Sequence, residues 1–148
     1  MLEISMEEIG DLIKKLERCL KNEKDIVFAI LFGSVAGGNI TEESDIDIAI
    51  SFVERPDYNR IIDLILKISR CINAREDKID ITIIDDKTPL ELRYKIIRDG
   101  ILIFARDIGK FKRFRDYSIS LYLDFKEALE AVKYGRKYIE KAEESLWS

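Results

Sequence analysis

Two aspartates separated by one residue, Asp45 and Asp47, open an alternating run, Asp-Ile-Asp-Ile-Ala-Ile-Ser-Phe. In an extended strand, residues two apart project to the same face. The two carboxylates therefore point together, while Ile46, Ile48 and Ile50 turn the other way, into a core. Ionised carboxylates side by side repel unless a cation lies between them. Magnesium takes oxygen ligands from a few carboxylates, water and substrate phosphates, so the pair reads as a grip for a divalent ion. A third aspartate, Asp80, interrupts a second apolar run, Lys-Ile-Asp-Ile-Thr-Ile-Ile. There Ile79, Ile81 and Ile83 form the buried face, and Asp80 with Thr82 the opposite one. If the two strands are neighbours, three carboxylates meet on one sheet face. Three carboxylates can hold two metal ions, which activate an attacking hydroxyl and stabilise a leaving pyrophosphate oxygen. Gly33-Ser34 stands ten residues before Asp45, at the end of the apolar run Asp25–Phe32. Glycine permits a tight turn and close backbone approach to a ligand, and Ser34 offers a hydroxyl and an amide to phosphate oxygens. Gly37 and Gly38 add freedom to the loop. The pattern predicts a triphosphate on one side and metal on the other. Taken singly, Asp-x-Asp is commonly a solvated pair, and Asp80 alone would serve as an edge-strand charge against aggregation. The conjunction favours the metal site.

The rest of the composition narrows the chemistry. The chain of 148 residues contains no histidine, so histidine bases and ligands are excluded and carboxylates must carry acid–base or metal chemistry. Its net charge of −4 argues against a protein living on duplex nucleic acid, which is usually basic. No apolar stretch approaches ~18 residues, so no membrane span is expected. The first twenty residues are amphipathic and charged, unlike a signal peptide. Cys19 and Cys71 each sit in a helix-periodic segment at a spacing that matches no metal motif. They read as two reduced, buried cysteines, which favours a cytoplasmic location.

The elements that must position the aspartates follow from periodicity. Ser5 with Glu8 forms a capping box, and Ile9, Leu12, Ile13, Leu16 and Leu20 recur at helical spacing to about Asn22. Residues 25–32 read as a buried strand, 35–43 as a polar, glycine-rich loop and 45–52 as a second strand. Pro56 and Asp57 start a helix that ends near Asn73, with Ile61, Ile62, Ile65, Leu66 and Ile68 on its inner face. The third strand contains Asp80. Thr88 suits an N-cap and Pro89 the first position of a third helix, closed by Gly100. Residues 101–105 form a short fourth strand. From Ile108 to about Glu144 the pattern is helical, with Phe111, Phe114, Leu121, Phe125, Leu129 and Val132 on one side and Gly135 as a point of bending. The order predicts an α/β (α+β) fold, a small mixed sheet packed by helices. Residues 1–107 read as the core and 108–148 as a C-terminal helical extension of the same domain. Within Lys110–Tyr117, basic residues alternate with aromatics. The run reads as an amphipathic helix start, with contact to phosphates, RNA or a partner as the alternative. Arg55 and Arg106 are candidates to approach the site.

Gly33-Ser34, ten residues, then Asp45-Ile46-Asp47 resembles the signature of the DNA-polymerase-beta-like nucleotidyltransferases. Their minimal single-domain branch (MNT) is the nearest likeness. Residues 78–85 match the family's third-aspartate strand, and residues 88–107 with Tyr122–Phe125 look like its antitoxin group. The resemblance implies transfer of AMP from ATP, with Mg²⁺, onto the tyrosine hydroxyl of a HEPN-domain toxin, in a type VII toxin–antitoxin system. It implies that Asp45, Asp47 and Asp80 bind the metals, that Asp80 also deprotonates the acceptor, and that Gly33 and Ser34 hold the β,γ-phosphates. Two other readings stay open: an idle fold that neutralises a toxin by occlusion, and an enzyme acting on a small molecule such as an antibiotic.

Overall fold

The computed structural model describes residues 6–38 and 44–147. Elements follow in the order α1 (Met6–Leu20), β1 (Ile26–Phe32), α2 (Gly33–Ala36), β2 (Ile46–Phe52), α3 (Tyr58–Ile72), β3 (Ile79–Ile84), α4 (Leu90–Asp99), β4 (Ile101–Ala105) and α5 (Ile108–Trp147), with a 3-10 turn at Glu76–Lys78 before β3. The four strands form one sheet in the order β3-β2-β1-β4. β1 is antiparallel to both β2 and β4, whereas β2 and β3 run parallel. A parallel pair needs a crossover, and α3 supplies it. The predicted mixed sheet packed by helices is what forms.

Helices cover both faces. On one, Leu16 and Leu20 of α1 and Leu64 and Ile68 of α3 pack with Ile48 and Ile50 of β2 and Ile79 of β3. On the other, Ile96 of α4 packs with Phe28, Ile30 and Ala49, and Phe111 and Phe114 of α5 join from the side. All seven β1 residues are buried, because the central strand has helices above and below; this is why its sequence is continuously apolar rather than alternating. Phe111 and Phe114 each set their rings 5.4 Å from the Phe28 ring. Phe111 and Phe114 of the Lys110–Tyr117 run are thus packing residues, whereas Tyr117, Lys110, Lys112 and Arg113 are exposed.

Several boundaries differ from expectation for local reasons. Ser5 lies outside the described residues. Asp57 caps α3 by accepting from the Arg60 backbone N–H at 2.8 Å, and the αL residue Asn73 closes it. The inner face of α3 is Leu64 and Ile68, with Ile65 and Ile72 beside them; Ile62 is exposed. Thr88 does not cap α4. Its hydroxyl accepts from the Asp85 N–H at 3.0 Å and donates to the Ile83 carbonyl at 3.1 Å, closing the turn after β3, and Pro89 takes the cap position. Gly100 is extended rather than left-handed, but a Cβ there would strike the Ile96 carbonyl and the Ile30 side chain. α5 passes through Gly135 without interruption.

The cysteine expectation fails outright. α1 and α3 pack side by side, which brings Cys19 and Cys71 to a Cα separation of 6.2 Å, and they form a disulfide. Cys71 is exposed. The pairing depends on a helix–helix contact that no sequence spacing encodes, and it removes the redox ground for expecting a cytoplasmic protein. Among the described residues no helix is long and apolar enough to cross a membrane.

Candidate active site

The parallel pairing of β2 and β3 decides the site. Its register sets Asp47 directly opposite Asp80 and Ile46 opposite Ile79. The alternation of β2 turns Ile48 and Ile50 to the α1–α3 side and Ala49 to the α4 side. Asp47 and Asp80 share the α4 side, close enough for the Asp80 carboxylate to act on that of Asp47. Asp47 is partly buried, whereas Asp80 and Asp45 are exposed at the strand ends. Burial, first, then the negative charges of Asp80 and Asp45 and the contact with Asp80, push the Asp47 carboxyl above its ordinary value; Lys95 opposes them.

The turn after β1 sits on top of this pair. Phe32, the last residue of β1, is the register partner of Asp47. Gly33 follows with φ of +77°, and a Cβ at this position would collide with the Asp47 carboxylate. Glycine is required here twice over, by conformation and by space. The next residues form a single helical turn rather than a loop. Val35, 1% exposed, is driven into the α1–α3 core, while Ser34 stays at the surface. Gly38 also has positive φ, of +77°, but Gly37 does not. The apolar Val35, read as part of a polar stretch, is the signal that marks this turn.

Among the described residues no group of three or more aspartates, glutamates or cysteines is gathered as a metal cage. What the fold gathers is the Asp47–Asp80 pair, with Asp45 close enough to act on Asp47 through charge. The donor set is nevertheless that of a hard cation: oxygen only, at least two carboxylates, and one of them, Asp47, raised above its ordinary value by burial and by its neighbours' charge. Lys95 of α4 is the residue that the sequence pattern missed. It is one of three cations on α4, beside Arg93 and Arg98, with nothing in its spacing to single it out; only the packing of α4 over the sheet brings it within reach of the Asp47 carboxylate.

Arg55 and Arg106 do not approach this site. Because β2 and β3 are parallel, both site aspartates lie toward their N-terminal ends, and Arg55 emerges beyond the other end, where it pairs with Asp85. Arg106 follows β4 and donates to the carbonyls of Ile26 at 3.1 Å, Lys21 at 2.7 Å and Glu23 at 3.1 Å, at the start of β1.

A family model described as "Polymerase beta, Nucleotidyltransferase" matches residues 14–109, from within α1 to the start of α5. The chain belongs to that family. Among relatives of this nucleotidyltransferase, the candidate protein adenylyltransferase MJ0128 of Methanocaldococcus jannaschii is 38% identical over 60 residues, 40% of this chain and 61% of that protein. A second candidate protein adenylyltransferase of the same organism, MJ1379, is 34% identical over 77 residues, 51% of this chain and 77% of that protein. The fold is also that of a chain in a toxin–antitoxin crystal structure with AMP-PNP, at a TM-score of 0.64 and 20% identity, over 81% of this chain and 94% of that one. It matches equally a chain in the complex of a tri-AMPylated Shewanella oneidensis HEPN toxin with its MNT antitoxin, at a TM-score of 0.61 and 18% identity, over 84% and 94% of the two chains. At these identities the two structures establish the common fold.

Proposed function

We propose that this nucleotidyltransferase moves AMP from ATP onto a protein hydroxyl, the acceptor being a tyrosine of a HEPN-domain toxin that it silences as an antitoxin. The observation that carries the reading is the facing Asp47–Asp80 pair roofed by Gly33-Ser34. Relatives named as candidate protein adenylyltransferases, and fold neighbours crystallised as toxin–antitoxin complexes, support the class of donor, acceptor and partner. Residues 1–107 serve as the catalytic core and 108–148 as a helical extension of the same domain.

Asp45, Asp47 and Asp80 would hold Mg²⁺, which when bound offsets negative charge on the phosphates and the attacking oxygen. The chain's own residues do the rest. The bare backbone at Gly33 lets phosphate oxygens come close to the carboxylate pair, where a side chain would block them. Ser34 offers its hydroxyl and amide to the β,γ-phosphates, and Lys95 adds positive charge on the α4 side. The tyrosine oxygen forms a bond to the α-phosphorus, the bond to the bridging oxygen breaks, pyrophosphate leaves, and the phenolic proton passes to Asp80.

The test is intact-mass spectrometry of a HEPN-domain protein, sought first among the products of the adjacent genes, after incubation with the chain, ATP and Mg²⁺. One or more added AMP units, absent with the Asp45→Asn/Asp47→Asn variant, is the expected result. An unmodified protein held in a stable complex would replace transfer by occlusion.

A further inference from the structure

Beyond residue 122, α5 leaves the body of the protein. Every residue from Leu123 to Leu146 is exposed except Gly135, which is half-buried. This projecting helix is not polar all round. Leu121, Phe125, Ala128, Val132, Gly135, Ile139, Ala142 and Leu146 recur at alternating steps of four and three residues. That is a heptad seam, whose period of 3.5 makes two helices wind around each other. Its large members are bare: Phe125 is 47% exposed, Val132 59%, Ile139 59% and Leu146 79%. Ala128, Gly135 and Ala142 between them are small, and a Cβ on Gly135 would meet nothing within 4 Å. The strip is about 38 Å long at 1.5 Å per residue.

The alternation of large and small identifies the occupant. We propose that the projecting half of α5 pairs antiparallel with the same helix of a second copy of this chain. Aligned so, Phe125 of one copy packs over Ala142 of the other, Val132 over Gly135, Ile139 over Ala128 and Leu146 over Leu121. The first three layers, each occurring twice by symmetry, oppose a large side chain to a small one, which fills the interface without voids and lets the helices approach closely. In a parallel pair each residue meets its own copy. Phe125 then crowds Phe125 while Gly135 faces Gly135 across a gap.

Charge agrees with the same register. Arg136 flanks Leu129 of the other copy, Glu143 flanks Tyr122, and Asp124 flanks Ser145, with no like charges facing. A slide of one heptad toward the C-termini sets Arg136 against Arg136. The opposite slide drives Leu146 toward Phe114, in the body of the other copy. The pairing would place two catalytic cores at the two ends of one antiparallel rod.

Sedimentation equilibrium of the full chain, alone, tests this. The expected result is a concentration-dependent dimer that Val132→Glu/Ile139→Glu reduces to monomer; both residues are exposed in the single chain, so the fold should persist by circular dichroism. Gly135→Leu should weaken the dimer by about tenfold or more, although leucine is the better helix former. Val132→Ala/Gly135→Leu, which exchanges large and small within the layer, should restore it. A monomer at all concentrations overturns the proposal, as does a dimer indifferent to Val132→Glu/Ile139→Glu or a swap that fails to restore pairing. So does a monomeric chain in which the two glutamates instead abolish binding of the HEPN-domain protein.

Discussion

Asp47→Asn should make the metal-free protein more stable while removing its activity. The carboxyl group faces Asp80 across the parallel pair, lies within electrostatic reach of Asp45, and is partly buried. Like charges directly opposite across two strands cost up to about 1 kcal/mol, and burial of the charge adds to that. The amide keeps the shape and drops the charge, so the variant should gain about 1 kcal/mol, a melting temperature about 2–4 °C higher for a chain of this size. The sign of the pH dependence follows from the direction of the shift. The folded-state value of Asp47 lies above the ordinary 3.8, so the native state takes up the proton first as pH falls. The wild-type penalty is therefore full above the folded value and gone below the unfolded one. Thermal melts of both proteins in EDTA should differ at pH 8 and converge toward pH 4. Added Mg²⁺ should then raise the wild-type melting temperature and leave the variant nearly unchanged. Loss of the ion's charge from the transition state, worth several kcal/mol, should cut transfer by about a thousandfold. A variant no more stable than wild type at pH 8, with a difference that does not move with pH, would refute the argument that these carboxylates repel in the fold.

Other outcomes test the frame around the site. Gly33→Ala should destabilise by about 2 kcal/mol or more, from the left-handed backbone and the collision with Asp47, and should depress transfer; Gly37→Ala, with φ of −80°, should be close to neutral in the same melts. Arg60 binds Asp25 through two hydrogen bonds of 2.8 and 2.7 Å, and these hold the Asp25 carboxyl below its ordinary value. That contribution is present above the unfolded value of 3.8 and is lost as pH falls through the folded one. Asp25→Asn should therefore cost about 1 kcal/mol at pH 7, after screening of a carboxylate that is 40% exposed, and nothing in strong acid. Reduction of Cys19–Cys71, which closes a loop with a sequence separation of 52, should cost up to about 4 kcal/mol on the chain-entropy account. Melts with and without dithiothreitol should differ by roughly 10 °C, and equal melting temperatures would show that the bond contributes no net stability.

Much of the site could be read from one dimension because strand alternation is a local property. Asp47 had to face away from Ile46 and Ile48, and Asp80 away from Ile79 and Ile81, whatever the rest of the chain did. Gly33 was legible as a special position, though not the reason for it, since the obstacle is a carboxylate fourteen residues away. Lys95 and the fates of Arg55 and Arg106 were not legible. Their long side chains reach what the packing of α4, the direction of β2 and the end of β4 put in front of them. The burial of Ile62 was misjudged for a similar reason. Helical spacing defines an apolar stripe, but its centre depends on the surface the helix rests on.

The sequence by itself determined the four strands and the long helices, the shared face of the aspartates on each strand, the carboxylate-only chemistry, and the helical character of residues 108–144. These are set by interactions between residues a few positions apart. Tertiary structure alone decided that β2 and β3 are parallel neighbours in a register placing Asp47 opposite Asp80. It also decided that Cys19 meets Cys71, and that the helix seam is left bare. Each of these is a contact between segments distant in the chain, fixed by which apolar faces cover one another when the sheet and its helices close.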